Sequence, residues 1–370
     1  MEGVLARISR ERLYELTGIQ LLSLNTLFQL YADQLAGIEA KTAWVTLPGY
    51  VTHLLGGERV AEYTNATHTQ LVSLGRCEWC EEIFEAAGLV ESVAPKIVPT
   101  GTIVGKIGGE LKGLAAFRGT RLVVPACHDT ASAIAAIPAN GDDWAFISSG
   151  TWSLVGTRLP SPCVTVESLA RNFTNLGGVG GTICFLKNVN GMWLLQQCME
   201  EWEREGQNWT IEELIRRCRG LSAPRALIDV DDPHLLLPGG MPGKINAQLE
   251  AAGSSRLTMD ENGIAEMANL IFHSLARRYA DVLWCVARIT MKNLKRLFIV
   301  GGGSKNKFLN RLTARYSGLE VIPGSSESAT IGNFATQLAA LNGDSDREHG
   351  VFIDAVARHA EMLAERFVRD

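Results

Sequence analysis

The chain has 370 residues, of which 46% are hydrophobic and 20% are charged, and its formal net charge is −5 at pH 7. This length is too great for one ordinary core and suits two domains, while the composition is that of a folded globular protein. The mixed charges argue against a nucleic-acid-binding surface, and no apolar run is long enough to cross a membrane. Residues 1–7 lack the apolar core of a signal peptide, so we expect a cytoplasmic protein without nucleic-acid or membrane partners.

Eight cysteines are scattered along the chain, which indicates reduced thiols rather than a disulfide framework. Cys77 and Cys80 have the spacing of a redox or zinc half-site. That alternative is the weaker one, because no second pair completes it.

The first part of the chain predicts helices. Residues 9–33 have a helical apolar pattern interrupted at Gly18, and a second helix follows around Pro48. Residues 62–67, EYTNAT, form a polar segment that opens a further helix, where Thr and Asn side chains suit helix capping.

An acidic residue, Asp129, stands where a predicted strand meets a predicted helix. Residues 122–127 are apolar and β-branched, and the small side chains after Asp129 permit a closely packed helix. Ligands collect at this edge of open α/β sheets, which makes Asp129 a candidate functional acid. An equally open alternative is that Asp129 only caps the helix by accepting an amide hydrogen bond.

A cluster of breakers, residues 138–143, predicts a domain boundary and hinge. Residues 144–156 then predict a hairpin whose turn, 148–151, carries Gly150 and three hydroxyl groups. Successive N–H groups in such a turn can form a concavity for an anion. The alternative is an ordinary tight hairpin.

Beyond the hairpin, residues 182–186 predict a strand and a helix starts near Gly191. Asn188 and Asn190, which lie between the two, are candidate caps of that helix.

Two amphipathic helices are predicted farther along, over 212–219 and 263–287. The acidic residues between them, at 229–232, suit a solvated loop better than a metal site.

A glycine run, 301–303, lies between a predicted strand and a helix over 306–316. Glycines at such a turn let the backbone approach a bulky ligand, and a helix N-terminus favours negative charge. The run is not the dinucleotide fingerprint, because Asn306 stands where its last glycine would be, and the chain has no P-loop motif. Further helices are predicted over 325–340 and 351–368.

Three of these segments, HDTASA (128–133), SSGTWS (148–153) and VGGG (300–303), resemble the sugar kinases of the FGGY family, within the actin-like ATPase superfamily. The likeness covers nearly the whole chain in the expected order and is closest to the rhamnulokinase subfamily. It also includes the segments GIQ (18–20), NTL (25–27), EYTNAT (62–67), LKN (186–188), WLLQ (193–196) and YADVL (279–283).

The resemblance implies an α/β fold with two lobes of ribonuclease H type. It also implies transfer of a phosphoryl group from Mg-ATP to a ketose, most closely L-rhamnulose, to give L-rhamnulose 1-phosphate. Fuculose and xylulose stay open as substrates.

On the matching positions, the resemblance implies that Asp129 is the catalytic base and that His128, Asp129, Thr130 and Asn188 bind the sugar. The residues that it places against ATP are Gly150, Thr151, Gln196, Gly301, Gly302 and Gly303. Magnesium is expected to ride on the phosphates, and no protein metal ligand is predicted.

The sequence departs from the family at its start, because it begins after the family's first strand-turn-strand and lacks roughly a hundred residues there. We therefore expect an incomplete first lobe over 1–139, a nucleotide-side lobe over 140–348 and a C-terminal helix, 349–370, that returns toward the first lobe. Two hypotheses stay open: a kinase, and a non-catalytic nucleotide-binding remnant or subunit that needs a separate N-terminal half. The oligomeric state is also open.

Overall fold

The structure of the chain is a computed structural model that describes residues 1–39, 41–346 and 349–367. Its α-helices are α1 (Glu2–Leu5), α2 (Arg10–Thr17), α3 (Thr26–Leu35), α4 (Leu47–Leu54), α5 (Tyr63–Thr67), α6 (Glu81–Ala87), α7 (Asp129–Ala135), α8 (Val166–Ala170), α9 (Trp193–Arg204), α10 (Ile211–Cys218), α11 (Met241–Ala251), α12 (Glu261–Thr290), α13 (Lys307–Ser317), α14 (Ser328–Leu341) and α15 (His349–Phe367). Its strands are β1 (Val60–Glu62), β2 (Lys96–Val98), β3 (Ile103–Lys106), β4 (Arg121–Val123), β5 (Trp144–Ser149), β6 (Trp152–Leu159), β7 (Thr174–Gly177), β8 (Ile183–Asn190), β9 (Arg296–Val300) and β10 (Glu320–Pro323).

The chain packs as two compact units that are not continuous in sequence. The first comprises Met1–Asn140, Thr157–Leu186 and Glu327–Asp370, and the second comprises Gly141–Gly156 and Lys187–Ser326. The domain ranges expected from the sequence, 1–139, 140–348 and 349–370, stay a prediction. Residues 368–370, at the end of the predicted last helix, lie outside the described residues.

The core of the first unit brings α7 against α14 and α15 through small side chains. Gly332 on α14 is required for this approach, because a Cβ atom there would stand 1.8 Å from the carbonyl oxygen of Ser132 on α7. The close packing fixes α7, and α7 begins at Asp129. The candidate acid therefore belongs to a helix whose axis is held by the core.

Short strand pairs complete the first unit. Strand β1 pairs with β2 in parallel, β3 with β4 antiparallel, and β7 with β8 antiparallel. All three residues of β1 are buried, including the charged Glu62. A buried carboxylate requires hydrogen-bond donors around it.

In the second unit, β10, β9 and β5 form parallel pairs and β6 pairs antiparallel with β5. The predicted hairpin is confirmed, with Ser149 opposite Ser153. Ser148 on β5 lies opposite Val300 on β9, so the carboxyl ends of two parallel strands stand side by side. This register places the hairpin turn next to the glycine run that follows β9.

The long helix α12 is buried on nearly all sides over residues 263–276, where only Glu266 is exposed, and on one face beyond them. The predicted amphipathic pattern therefore holds only for its second half. Within the described ranges, no helix is long and apolar enough to cross a bilayer.

Candidate functional site

The loop that carries Asp129 is shaped by an early end of strand β4. The strand predicted over 122–127 stops at Val123, so this part of the prediction is wrong. Pro125 has no N–H to donate to a strand partner, and the amide of Cys127, two residues farther along, donates to Glu62 rather than to a neighbouring strand. Residues 124–128 therefore form an irregular segment that leads directly into α7.

Asp129 is the first residue of α7, and His128 is its N-cap. Asp129 Oδ1 lies 2.6 Å from the main-chain nitrogen of Thr130, 3.3 Å from the hydroxyl oxygen of Thr130 and 3.2 Å from Nδ1 of His128. All these contacts fall on Oδ1, and the side chain of Asp129 is 85% exposed. The second oxygen, Oδ2, is therefore accessible to a ligand, and the carboxylate combines a capping contact with an open acceptor.

The ring of His128 lies within hydrogen-bond distance of Asp129, with Nδ1 3.2 Å from Oδ1. The N–H of Thr130 lies 3.3 Å from His128 Nδ1 but has a nearer acceptor in Asp129. Nδ1 can therefore carry a hydrogen atom and donate a hydrogen bond to the carboxylate. This contact with His128 is the main cause that lowers the pKa of Asp129 to about 2, and it outweighs the partial loss of solvent around the otherwise exposed carboxylate. Asp129 is ionised at every physiological pH.

A second histidine, His68, packs edge-on against His128, with ring centroids 5.0 Å apart. Burial, assisted by His128, lowers the pKa of His68 to about 4, although Asp129 acts the other way. His68 is consequently neutral at pH 7 and adds no charge beside the acid.

The hairpin turn of the second unit rests on the start of α9. The N–H groups of Met192 and Trp193 donate to the carbonyl oxygens of Gly150 and Thr151, at 3.2 and 3.1 Å. Gly191 permits this contact, because a Cβ atom there would lie 2.6 Å from the carbonyl oxygen of Thr151. Gly150 and Thr151 are themselves exposed, so the turn presents its tip outward from a fixed base.

The glycine run packs against the same hairpin from β9. A Cβ atom on Gly303 would stand 2.0 Å from the hydroxyl oxygen of Ser149, and one on Gly301 would stand 2.8 Å from its carbonyl oxygen. Gly302 differs, because no atom lies within 4 Å of the position of its Cβ. Gly301 thus allows contact with the backbone of Ser149, Gly303 makes room for its side chain, and Gly302 borders open space.

Asn306 ends this segment as the N-cap of α13, where its side chain accepts from the N–H of Leu309 at 3.0 Å. The residue that breaks the dinucleotide fingerprint therefore has a capping role.

A buried tyrosine lies beneath the hairpin. The hydroxyl groups of Tyr279 and Ser153 are 2.6 Å apart, and the hydroxyl of Ser149 also hydrogen-bonds to Tyr279. Burial raises the pKa of Tyr279 to about 12, so this phenol stays neutral. Helix α12, which carries Tyr279, is in this way linked to both sides of the turn.

The remaining predicted site residues lie on β8 and α9. Asn188 is a half-buried residue of β8, and Gln196 lies in the first turns of α9, with its N–H bonded to the carbonyl oxygen of Met192. The capping interpretation of Asn188 and Asn190 is wrong, because β8 continues through both residues and α9 has Met192 as its N-cap. Their side chains lie along a strand instead of at a helix start.

The acidic residues at 229–232 have protein partners. Asp231 pairs with Arg278 at 2.7 Å, and Asp232 accepts from the main-chain N–H of His234 at 2.9 Å. Across residues 1–39, 41–346 and 349–367, no group of three or more His, Cys, Asp or Glu side chains could hold a metal ion.

The structure thus brings His128, Asp129 and Thr130 together in the first unit. In the second unit it brings the hairpin turn to the glycine run. The sequence did not single out Glu62, His68 or Tyr279 as supports of these segments. A signal for Glu62 was available, because this residue stands directly before a predicted helix. Capping of that helix was expected from Thr and Asn side chains, whereas in the structure Glu62 caps α5.

The comparisons with known proteins agree along the chain. Residues 1–136 match the N-terminal domain of the FGGY family of carbohydrate kinases, and residues 145–341 match its C-terminal domain. A rhamnulokinase of Enterococcus faecalis is 36% identical over 334 residues, which cover 90% of this chain and 66% of that protein. A rhamnulokinase of Bacteroides thetaiotaomicron is 35% identical over 350 residues, which cover 93% of this chain and 70% of that protein.

Among solved structures, a ligand-bound xylulose kinase of Lactobacillus acidophilus matches 98% of this chain and 76% of its own, with a TM-score of 0.71 and 15% identity. This likeness confirms the predicted α/β fold of the actin-like sugar kinases. The chain spans about two thirds of the length of the Enterococcus protein, given the 66% coverage. Both family domains and the curated relatives lead to one assignment: the chain belongs to the FGGY family of carbohydrate kinases.

Proposed function

We propose that this protein transfers the γ-phosphoryl group of ATP to the 1-hydroxyl of L-rhamnulose, giving L-rhamnulose 1-phosphate and ADP. The observation that carries the proposal is the 35–36% identity to two curated rhamnulokinases over 90% and 93% of the chain. ATP is the expected phosphoryl donor of a carbohydrate kinase, and Mg²⁺ enters as part of the substrate, Mg-ATP.

Asp129 is proposed to act on the attacking hydroxyl. Its Oδ1 is held by Thr130 and His128, and its exposed Oδ2 can accept a hydrogen bond from the sugar. A carboxylate whose pKa is about 2 is a weak base. We therefore propose that it orients the hydroxyl first and takes the proton late, as the new oxygen–phosphorus bond forms.

The two glycine-containing segments of the second unit are proposed to hold the nucleotide. The hairpin turn presents Gly150 and Thr151 for the phosphates, and the open space at Gly302 suits adenosine. As the bond from phosphorus to the bridging oxygen breaks, the negative charge passes to ADP, which we propose stays bound at these two segments. Asn188 stays a predicted sugar contact and Gln196 a predicted nucleotide contact.

The proposal also covers how magnesium is bound and in which compartment the enzyme acts. Magnesium is carried by the phosphates rather than by side chains, and the enzyme acts in the cytoplasm, where ATP is available.

The test is a coupled ADP-release assay with Mg-ATP and L-rhamnulose, L-fuculose or D-xylulose, together with a control without sugar. We expect the highest kcat/KM with L-rhamnulose and formation of the 1-phosphate by ³¹P NMR. Turnover with L-fuculose or D-xylulose but not with L-rhamnulose would show that the other ketose is the substrate. If a folded protein that binds Mg-ATP released no ADP with any of the three sugars, the proposed activity would be overturned.

A further inference from the structure

Glu62 is a buried carboxylate that no step of the proposed reaction uses. It ends strand β1 with 2% of its surface exposed. Its Oε1 accepts hydrogen bonds from the N–H of Thr64 at 3.0 Å and the hydroxyl of Thr100 at 2.5 Å. Its Oε2 accepts from the hydroxyl of Thr64 at 2.6 Å, the N–H of Asn65 at 3.3 Å and the N–H of Cys127 at 2.9 Å.

These five donors make both oxygens of Glu62 acceptors. Three of them are main-chain N–H groups, whose direction is fixed by the backbone, so an ionised carboxylate satisfies them all. Burial raises the pKa of Glu62, and the hydrogen bonds from Thr100 and Thr64 oppose this effect. The hydrogen bonds offset the cost of removing a charged group from water.

The contacts continue from Glu62 to the residue before Asp129. The hydroxyl of Thr64 donates its proton to Glu62 and accepts the N–H of His128 at 3.1 Å. Glu62 and Thr64 therefore together hold two consecutive amides, those of Cys127 and His128. At the other end of α5, His68 contacts the ring of His128, so one short helix holds both the backbone and the side chain of the N-cap residue.

We propose that Glu62 is a positioning residue for the reaction, which fixes the two peptide units before Asp129 and thereby the direction of its carboxylate. The inference rests on the proposed function, because it assumes that Asp129 receives the sugar hydroxyl. It also goes beyond helix capping. Capping of α5 needs only the N–H groups of Thr64 and Asn65, whereas the contact with Cys127 joins residues 65 positions apart.

The first test compares Thr64→Val with Thr64→Ser. Valine has nearly the shape of threonine but removes the hydroxyl that links Glu62 to His128, whereas serine keeps it. We expect Thr64→Val to lower kcat by about 10- to 100-fold, since small displacements of a reacting group have effects of this order. Thr64→Ser should have a kcat close to that of the wild type. The KM for Mg-ATP should stay unchanged in both variants.

The direct test is Glu62→Gln. In either orientation the new amide points its N–H groups at main-chain donors, those of Asn65 and Cys127 on one side or that of Thr64 on the other. We expect the same selective loss of kcat. Thr100→Val is the matched control, because it removes one donor to Glu62 without touching residues 127 and 128, and it should keep kcat close to the wild-type value. If kcat fell in step with thermal stability in Thr64→Val, Glu62→Gln and Thr100→Val alike, the role of Glu62 would be only structural.

A readout that needs no turnover is the Cε1–H signal of His128 in ¹³C-histidine-labelled protein, assigned with His128→Gln. Thr64→Val and Glu62→Gln should shift this signal and leave that of the exposed His234 in place. If the signal shifts while the wild type phosphorylates no ketose, the proposed function fails and with it the role of Glu62 in the reaction, whereas the structural link from Glu62 to His128 stands. If the wild type is active and both variants keep its kcat, the positional inference is overturned.

Discussion

The loop that carries Asp129 and the turn that carries Thr151 are both short and both expose the residue for which we propose a role, yet they are held in different ways. The acid loop depends on side chains, because Glu62 and Thr64 hold the amides of residues 127 and 128. The hairpin turn over Gly150 and Thr151, named the phosphate turn here for its proposed role, depends on the missing side chains of Gly191, Gly301 and Gly303, where even a methyl group would clash with Thr151 or Ser149. Removing a polar group should therefore impair the loop that carries Asp129, and adding a methyl group at a glycine should impair the turn that carries Thr151.

The strongest test of this comparison is Asp129→Asn. The amide keeps the shape of the side chain but cannot take the proton of the sugar hydroxyl, so we expect kcat to fall by about 10²- to 10⁴-fold. Affinity for Mg-ATP should stay unchanged by calorimetry, because Asp129 belongs to the first unit and the nucleotide segments to the second. Asp142→Asn, at an exposed acid, is the control, and an unchanged rate in Asp129→Asn would remove Asp129 from the mechanism.

The second test compares two alanines in the glycine run. Gly303→Ala places a methyl group 2.0 Å from the hydroxyl oxygen of Ser149, which we expect to lower the free energy of unfolding by about 1–3 kcal/mol and to raise the KM for Mg-ATP. Gly302→Ala meets no atom within 4 Å, so its stability should match the wild type while its KM for Mg-ATP rises. Thermal unfolding and ATP titration distinguish the two. An unchanged KM in Gly302→Ala would show that the nucleotide does not use this space.

A third test uses pH on the acid loop. The pKa of His68 is lowered to about 4 in the folded protein, so the unfolded chain binds more protons between this value and its ordinary pKa of about 6.5. The free energy of unfolding should fall as the pH is lowered through this window, by roughly 1–3 kcal/mol in total. His68→Gln should flatten this part of the stability curve in urea titrations. His234→Gln, at an exposed histidine, should keep the wild-type slope, and equal slopes in all three proteins would contradict the burial effect.

The local features of the site could be predicted from the sequence. The hairpin over β5 and β6, the start of α7 at Asp129 and the glycine turn before α13 all follow from patterns within a few residues. The contacts that hold these features could not be predicted. The bond from Cys127 to Glu62 spans 65 positions and that between Ser153 and Tyr279 spans 126, and no local pattern specifies such partners. The early end of β4 could be predicted only in part. Pro125 is visible in the sequence, but the end of the strand also depends on the amide of Cys127, whose acceptor, Glu62, is distant in sequence.

The smallest effect is expected from Tyr279→Phe, which tests whether the phosphate turn also depends on a side chain. Tyr279 is 1% exposed, and its hydroxyl lies 2.6 Å from that of the buried Ser153. Removing this hydroxyl should lower the free energy of unfolding by about 1 kcal/mol, because serine loses a buried partner while the aromatic packing stays. If main-chain contacts at the glycines hold the turn, the KM for Mg-ATP should remain close to that of the wild type. A rise in KM as large as in Gly303→Ala would show that α12 positions the turn through its tyrosine, and the contrast between the two segments would then be one of degree.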